Sequence, residues 1–405
     1  MKVNSNGKNP KRILRFVSIN LGLLSGGVLL ALFLLELITR IFHLGTGGFW
    51  EPDPYLGWRN IPHARGWESC YGECTVYVEI NSHGLRDREI DYQKKPDQKR
   101  VLLLGDSITA GMQVPLEKTF AKILEQRLNR DEDVLKWEVV NAAVNAYGTD
   151  NELIFYRQEG VKYQPDIVIL SVYLANDVYN NSRELEVRTG GREDKPYFRL
   201  DDQGELVLEN YPVQGRDSLG VVVGSFIKRY FQLPRFIAQI LNLRREVPPV
   251  LQPIVNWFSG KQGESTEKTG GQQRKERDDI CSVKYTETIQ DAWDITKALI
   301  SQMRDEVEES GANFAVLIVP ASPQLVPPSN NTDWYCEQPN IELENFLKRE
   351  DIAFLDLLYS FRQHILDGGE QLYYQRDFHM NEDGHQLAGE LLYEFFTAAY
   401  FEMRD

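Results

Sequence analysis

VLLLGDSITAG, residues 101–111, decides how this chain is read. Four consecutive apolar residues closed by a glycine describe a parallel strand buried on both faces, and Ser107 falls where that strand must give way to a helix. Outward from this point the pattern repeats. Residues 118–129 carry the apolar spacing of a helix, WEVVNAA (137–143) reads as a second strand, 151–159 as a helix and DIVILSVY (166–173) as a third strand. After residue 282 the rhythm resumes with a long helix to about Ser310, NFAVLIVP (313–320), a helix over 341–349, IAFLDL (352–357) and a closing helix within HMNEDGHQLAGELLYEFF (379–396). Such alternation predicts right-handed βαβ crossovers, hence an α/β fold with a central parallel sheet of about five strands and helices on both faces.

Between residues 181 and 282 the rhythm is broken by an insertion. Residues 259–279 are polar, Gly-rich and mixed in charge, the composition of a mobile loop. Residues 219–245 differ: Lys228, Arg229, Arg235, Arg244 and Arg245 occur with no acidic residue, among Phe226, Tyr230, Phe231, Phe236 and Ile240. Two readings fit, a lid or interfacial helix on anionic headgroups and a pair of cap helices packing an apolar face on the core. The expectation here is the cap.

Residues 16–35, FVSINLGLLSGGVLLALFLL, are free of charge, and at about 1.5 Å per residue they match a hydrocarbon core of roughly 30 Å. Residues 16–36 therefore read as a transmembrane anchor with Glu36 at its outer edge. Lys2, Lys8, Lys11, Arg12 and Arg15 precede it without an acidic residue, which predicts a cytoplasmic tail over 1–15 and an extracytoplasmic remainder. A cleaved signal peptide is the alternative, disfavoured by the length of the apolar run. Residues 46–98, rich in Gly, Pro and Trp, form a membrane-proximal segment with a strand or hairpin near TVYVEI (75–80), and 99–405 carry the α/β pattern.

The four cysteines, Cys70, Cys74, Cys281 and Cys336, all lie beyond the anchor, where disulfides persist. Cys70 and Cys74 flank a turn-like Tyr-Gly-Glu, so a local bridge would leave Cys281 with Cys336; three pairings remain open, and so do buried free thiols. They make no zinc-like cluster with the six histidines.

The chemistry starts at Ser107. A hydroxyl at the end of a central strand is a candidate nucleophile, and it needs a base with a carboxylate to orient that base. RDFHMNEDGH offers Asp377 and His379 in a loop after the last strand, with His385 a competing base whose position suits packing better. An acyl-transfer intermediate also requires oxyanion donors, and Asn176 follows the third strand with a side-chain NH2 to offer.

Together these blocks resemble the SGNH (GDSL) hydrolase family. Gly105-Asp106-Ser107 matches its nucleophile block, Asn176-Asp177 its asparagine block, and Asp377 with His379 its terminal acid and base. The resemblance implies a flavodoxin-like three-layer sandwich and no metal or organic cofactor. It also implies a Ser107–His379–Asp377 acyl-enzyme mechanism, with an oxyanion hole from Ser107, Ala146 and Asn176. Ala146 stands where the family usually has glycine, Leu174 replaces a second glycine, and the acid precedes the base by two residues instead of three. DPYLGWRN and INSHGLRD, together with the anchor, further resemble a membrane-anchored bacterial branch of that family. Asp-x-His endings also resemble those of SGNH-type proteins that O-acetylate exopolysaccharides.

Composition limits the function classes. The 45 basic against 60 acidic residues give a net charge of −15, which argues against a sequence-blind nucleic-acid binder. There is no GxSxG, HExxH or GxxxxGK[ST] motif. The expected activity is hydrolysis of O-acyl esters of carbohydrate or lipid. The alternatives are O-acyl transfer to a cell-surface glycan and a non-catalytic glycan-binding or envelope-assembly protein.

Overall fold

Val101, Leu102, Leu103 and Leu104 are each at most 1% exposed because successive side chains of one strand enter two different cores. The computed structural model describes residues 10–42, 48–130, 136–188, 191–216, 218–234, 236–237, 280–282, 284–325 and 336–402. Among them are strands β1 (Trp50–Asp53), β2 (Gly57–Asn60), β3 (Arg65–Cys70), β4 (Cys74–Glu79), β5 (Gln98–Leu104), β6 (Lys136–Asn141), β7 (Ile167–Tyr173), β8 (Tyr197–Leu200), β9 (Leu206–Glu209), β10 (Asn313–Val319) and β11 (Ala353–Asp356). Five of these form the central sheet in the order β11-β10-β7-β5-β6, all parallel.

On one face Leu102, Leu104, Val168, Leu170, Val316 and Ile318 pack against helices Thr149–Gln158, Glu287–Glu309 and Gln338–Arg349, with Trp293 fully buried. On the other, Val101, Leu103, Ile169, Leu317 and Val319 meet Phe120, Leu124, Phe361 and Leu392 from helices Phe120–Leu128, Leu358–Leu366 and Glu382–Glu402. Each fully buried Leu or Val in these layers contributes about 1.5–3 kcal/mol of transfer free energy. The three-layer α/β sandwich anticipated from the alternation is the observed one.

From β5 the chain steps to one side for β6, then crosses to the other side for β7. That reversal makes the gap between the C-terminal ends of β5 and β7 the topological switch point, where the loops diverge and leave room for a ligand. The residues after β5 include Ser107, and those after β7 include Asn176.

Residues 48–98 form two antiparallel hairpins, β1–β2 and β3–β4, around a small core of Phe49, Ile61, Val78, Ile80 and Met112. Arg86, 2% exposed, fastens this segment to the sheet domain by donating to the carbonyls of Ala110, Gly111 and Val114. Cys70 pairs with Cys74 and Cys281 with Cys336, so the local-bridge option holds.

Within the insertion lie helix Arg183–Arg188, the β8–β9 hairpin and helix Leu219–Tyr230. Lys195, 1% exposed, donates to both carboxylate oxygens of the buried Asp150 and to Asn151, tying the insertion to helix Thr149–Gln158. The cap expectation needs correction. Leu219, Val222, Phe226 and Tyr230 are between 52% and 79% exposed, so this apolar stripe does not pack on the core. Apolar residues recurring every three or four positions over about three turns specify an amphipathic helix but not what covers it, which is why sequence periodicity misled here. Residues 259–279, read as a mobile loop, and Arg235, Arg244 and Arg245 lie outside the described residues.

The N-terminal helix runs Pro10–Ile41, and its part Leu14–Ile41 contains an 18-residue window of mean hydropathy 2.3, none of which is buried. Its far end touches the insertion: Glu36 accepts from the backbone N–H of Gln232 (3.0 Å) and Leu233 (2.8 Å), and Arg40 donates to the carbonyl of Tyr230.

Candidate active site

Where β5 ends, Asp106 takes an extended conformation and caps the short helix Ser107–Ala110, its Oδ1 accepting from the N–H of Ile108 at 2.8 Å. Asp106 does the capping, so the hydroxyl of Ser107 is free for another partner. That partner is His379, whose Nε2 lies 2.8 Å from Ser107 Oγ. On the other side of the ring Nδ1 lies 2.6 Å from Asp377 Oδ1. A carboxylate only accepts, so Nδ1–H donates to Asp377 and Nε2 is left to accept from the Ser107 hydroxyl.

The two-residue spacing between Asp377 and His379 is bridged by the residue between them. Phe378 has φ 63, in the left-handed region rarely adopted outside glycine. The turn swings both flanking side chains to one side, and it is held by Phe378 N–H donating to Tyr374 O and Tyr374 N–H donating to His379 O. The imidazole remains about a quarter exposed, open to a substrate. Burial lowers its basicity, but the hydrogen bond to Asp377 and the charges of Asp377 and Asp106 prevail and hold its pKa above 6.5.

Asn176 donates from Nδ2 to Asp106 Oδ2 at 3.1 Å, which brings the end of β7 beside the residue preceding Ser107. One amide hydrogen of Asn176 remains to offer. Ala146 lies in the loop after β6, which is fastened beside β5 by Val144 N–H donating to Gly105 O. Ala146 is exposed and has φ 62, the conformation in which a glycine is at ease. The alanine at this family-glycine position thus keeps the glycine's backbone shape. Leu174 is buried in the core behind β7.

His385 is a packing residue. It is 1% exposed, stacks on Phe120, accepts from the Phe120 N–H at Nδ1, and burial with Arg86 and His379 nearby lowers its pKa to about 3.

Two carboxylates of the β3–β4 hairpin were not anticipated. Glu68 sits near Asp377 and His379, and burial together with the Asp377 charge raises its pKa to about 7 against the opposing pull of His379 and Arg86. Glu73, at the tip of the hairpin, accepts from the backbone of Gln375, Arg376 and Asp377. No local sequence signal connects residue 73 with residue 375. Only the spacing Cys-x-x-Glu-Cys marked the tip as a closed turn. Among the described residues no cluster of His, Cys, Asp and Glu is arranged to hold a metal.

Residues 101–392 match the family described as GDSL-like Lipase/Acylhydrolase. No curated protein matches the chain. Among solved structures, the acetyl xylan esterase AlAXEase is 12% identical, with 73% of this chain and 98% of that chain covered at a TM-score of 0.38. A two-domain esterase active on acetylated mannans, crystallised with mannopentaose, is 10% identical over 74% and 49% of the two chains at a TM-score of 0.36. A catalytic mutant of the acetylxylan esterase Axe2 from Geobacillus stearothermophilus is 8% identical over 73% and 93% at a TM-score of 0.38.

Proposed function

This chain belongs to the GDSL-like lipase/acylhydrolase family, a family of carboxylic ester hydrolases, and on that premise we propose that it cleaves O-acyl esters of carbohydrate or lipid through a Ser107 acyl-enzyme. The observation that carries the reading is the continuous relay Ser107 Oγ, His379, Asp377 at 2.8 and 2.6 Å, set at the switch point of the sheet. His379 takes the hydroxyl proton as Ser107 attacks the ester carbonyl, and Asp377 holds the tautomer and balances the imidazolium. The N–H groups of Ser107 and Ala146 and the amide of Asn176 receive the oxyanion. His379 then returns the proton to the departing alcohol, and water activated by the same imidazole releases the acid.

The test is a panel of acetylated sugars and acyl esters of increasing length, run with and without a glycan acceptor, beside labelling by a fluorophosphonate probe. Labelling with ester turnover supports the reading. Acyl transfer to the acceptor in place of hydrolysis would make the protein an O-acyltransferase with the same residues, and absence of labelling would leave a non-catalytic binding protein. Asn176→Ala is expected to lower turnover by about 10²–10³-fold while Ser107 still labels. Turnover within a few-fold of the wild type would remove Asn176 from the oxyanion hole.

We further propose that helix Pro10–Ile41 is a single-pass anchor with the catalytic domain outside the cytoplasm. Its apolar part of 28 residues is about 42 Å long at 1.5 Å per residue, more than a hydrocarbon core of roughly 30 Å needs. The outer end would therefore project into the headgroup layer. The C-terminal end of helix Leu219–Tyr230 is bound to that end by Arg40 at Tyr230 and by Glu36 at the following Gln232 and Leu233, and its exposed stripe of Leu219, Val222, Phe226 and Tyr230 would rest on the bilayer surface. In proteoliposomes, a fluorophore on Phe226→Cys of the full chain is expected to be quenched by brominated lipid, as at Phe42→Cys, whereas one on Tyr71→Cys is not. An unquenched label at 226 would take this helix off the membrane.

A further inference from the structure

The loop that carries the acid and base is short, partly exposed and bent through an unfavourable residue. Gln375, Arg376 and Phe378 are exposed, and Phe378 adopts the left-handed conformation that lets Asp377 and His379 share one side of the chain. A conformation of this kind persists only when its surroundings over-determine it. The backbone bonds inside the loop explain its second half, since Phe378 N–H and Tyr374 N–H are both spent there. They leave the N–H groups of residues 375, 376 and 377 without a partner in the loop itself.

All three are taken by one side chain from 302 to 304 residues away. Glu73 Oε1 accepts from Gln375 N–H at 2.9 Å, and Glu73 Oε2 accepts from Arg376 N–H at 2.8 Å and from Asp377 N–H at 3.1 Å. A carboxylate gripping three successive amides forms charge-assisted bonds, stronger than neutral ones and fixed in direction. Glu73 is itself restrained: it sits in the turn closed by the Cys70–Cys74 bridge, and its own N–H donates to Cys70 O at 2.7 Å. The strands leading to that turn are paired along their whole length from Arg65–Glu79 to Cys70–Cys74.

We propose that Glu73 is a positioning residue for the Asp377–His379 pair, and that the disulfide-closed hairpin of the membrane-proximal segment is the clamp that presents it. The inference rests on the catalytic reading of that pair. Without the clamp, the three amides turn to water and the bend at Phe378 relaxes. Asp377 then no longer dwells within bonding distance of His379 Nδ1, and the loss falls on turnover because the Ser107 side of the pocket is untouched.

The experiment compares full-length wild type, Glu73→Ala, Glu73→Gln and Asp377→Asn for kcat, KM, fluorophosphonate labelling rate, and the low-field proton NMR signal of an imidazole N–H bonded to carboxylate. Misplacing a catalytic group by about 1 Å costs on the order of 10²-fold. Glu73→Ala is expected to lose about that much in kcat and labelling rate with KM within twofold, and to broaden or lose the low-field signal. Glu73→Gln, which keeps one accepting oxygen, should recover part of the loss. Wild type treated with a reductant that opens Cys70–Cys74 should move in the same direction by a smaller factor, and supplies the test if Glu73→Ala fails to fold. Glu73→Ala with wild-type kcat and an intact low-field signal, beside a slow Asp377→Asn, would overturn the clamp and leave the catalytic reading standing. A fast Asp377→Asn would overturn both.

Discussion

Ser107→Ala is expected to lower ester turnover by roughly 10⁶-fold, the loss that follows when the nucleophile of a serine relay is removed and only binding and oxyanion donors remain. The structure gives the reason for so large a number. Ser107 Oγ is the hydroxyl hydrogen-bonded to His379 Nε2 among the described residues, at 2.8 Å. Asp106 already satisfies the helix start, so the mutation deletes no cap, and the fold should survive with an unchanged thermal midpoint. Steady-state assays on an activated acetyl ester, with mass spectrometry of the probe adduct, measure the effect. Turnover within tenfold of the wild type, or an adduct persisting in the variant, would show that another residue attacks the ester.

Asp377→Asn should cost about 10⁴-fold, because an amide facing Nδ1 favours the wrong tautomer and leaves the imidazolium unbalanced. The pH profile supplies a second, signed expectation. His379 acts as a base only when neutral, and its pKa is held above 6.5 by the hydrogen bond and charge of Asp377, with help from Asp106, against the lowering effect of burial. Activity of the wild type should therefore fall as pH drops through a value above 6.5. In Asp377→Asn the anion is gone while burial remains, so the acid limb should move to lower pH even as the plateau drops. A variant whose limb stays in place would assign the limb to another group, with Glu68, whose own pKa is raised to about 7, the carboxyl to examine.

The parallel sheet was legible because its strands are buried on both sides. VLLL, IVIL and VLIV runs suit strands buried on both faces, and their ends came out within a few residues of Gln98–Leu104, Ile167–Tyr173 and Asn313–Val319. The blocks around Ser107, Asn176 and His379 were legible for a related reason: each sits just after a strand or before the last helix, where the switch point collects side chains. What escaped was set by partners far away in sequence. Nothing in CYGEC states that Glu73 will grip residues 375–377, and nothing in LGVVVGSFIKRY states that its apolar stripe faces outward. The left-handed turns at Ala146 and Phe378 were hidden too, since neither residue type announces a positive φ. The buried pair Lys195–Asp150 shows the same limit, for two ordinary surface residue types find each other only after the insertion folds back.

The Ser107–His379 hydrogen bond joins residues 272 positions apart, with the proposed nucleophile near the start of the sheet and the proposed base just ahead of helix Glu382–Glu402. As the chain is made, Ser107 and its strand can settle long before His379 exists, since domains generally acquire structure from the N-terminal side during synthesis. The hydroxyl then has no base beside it and stays a weak nucleophile. On the proposed mechanism, catalytic competence waits until helix Glu382–Glu402 docks against Phe120–Leu128 and carries the His379 loop into place. Recovery of activity after refolding should accordingly lag behind recovery of secondary structure, making the enzyme a reporter of its own completion.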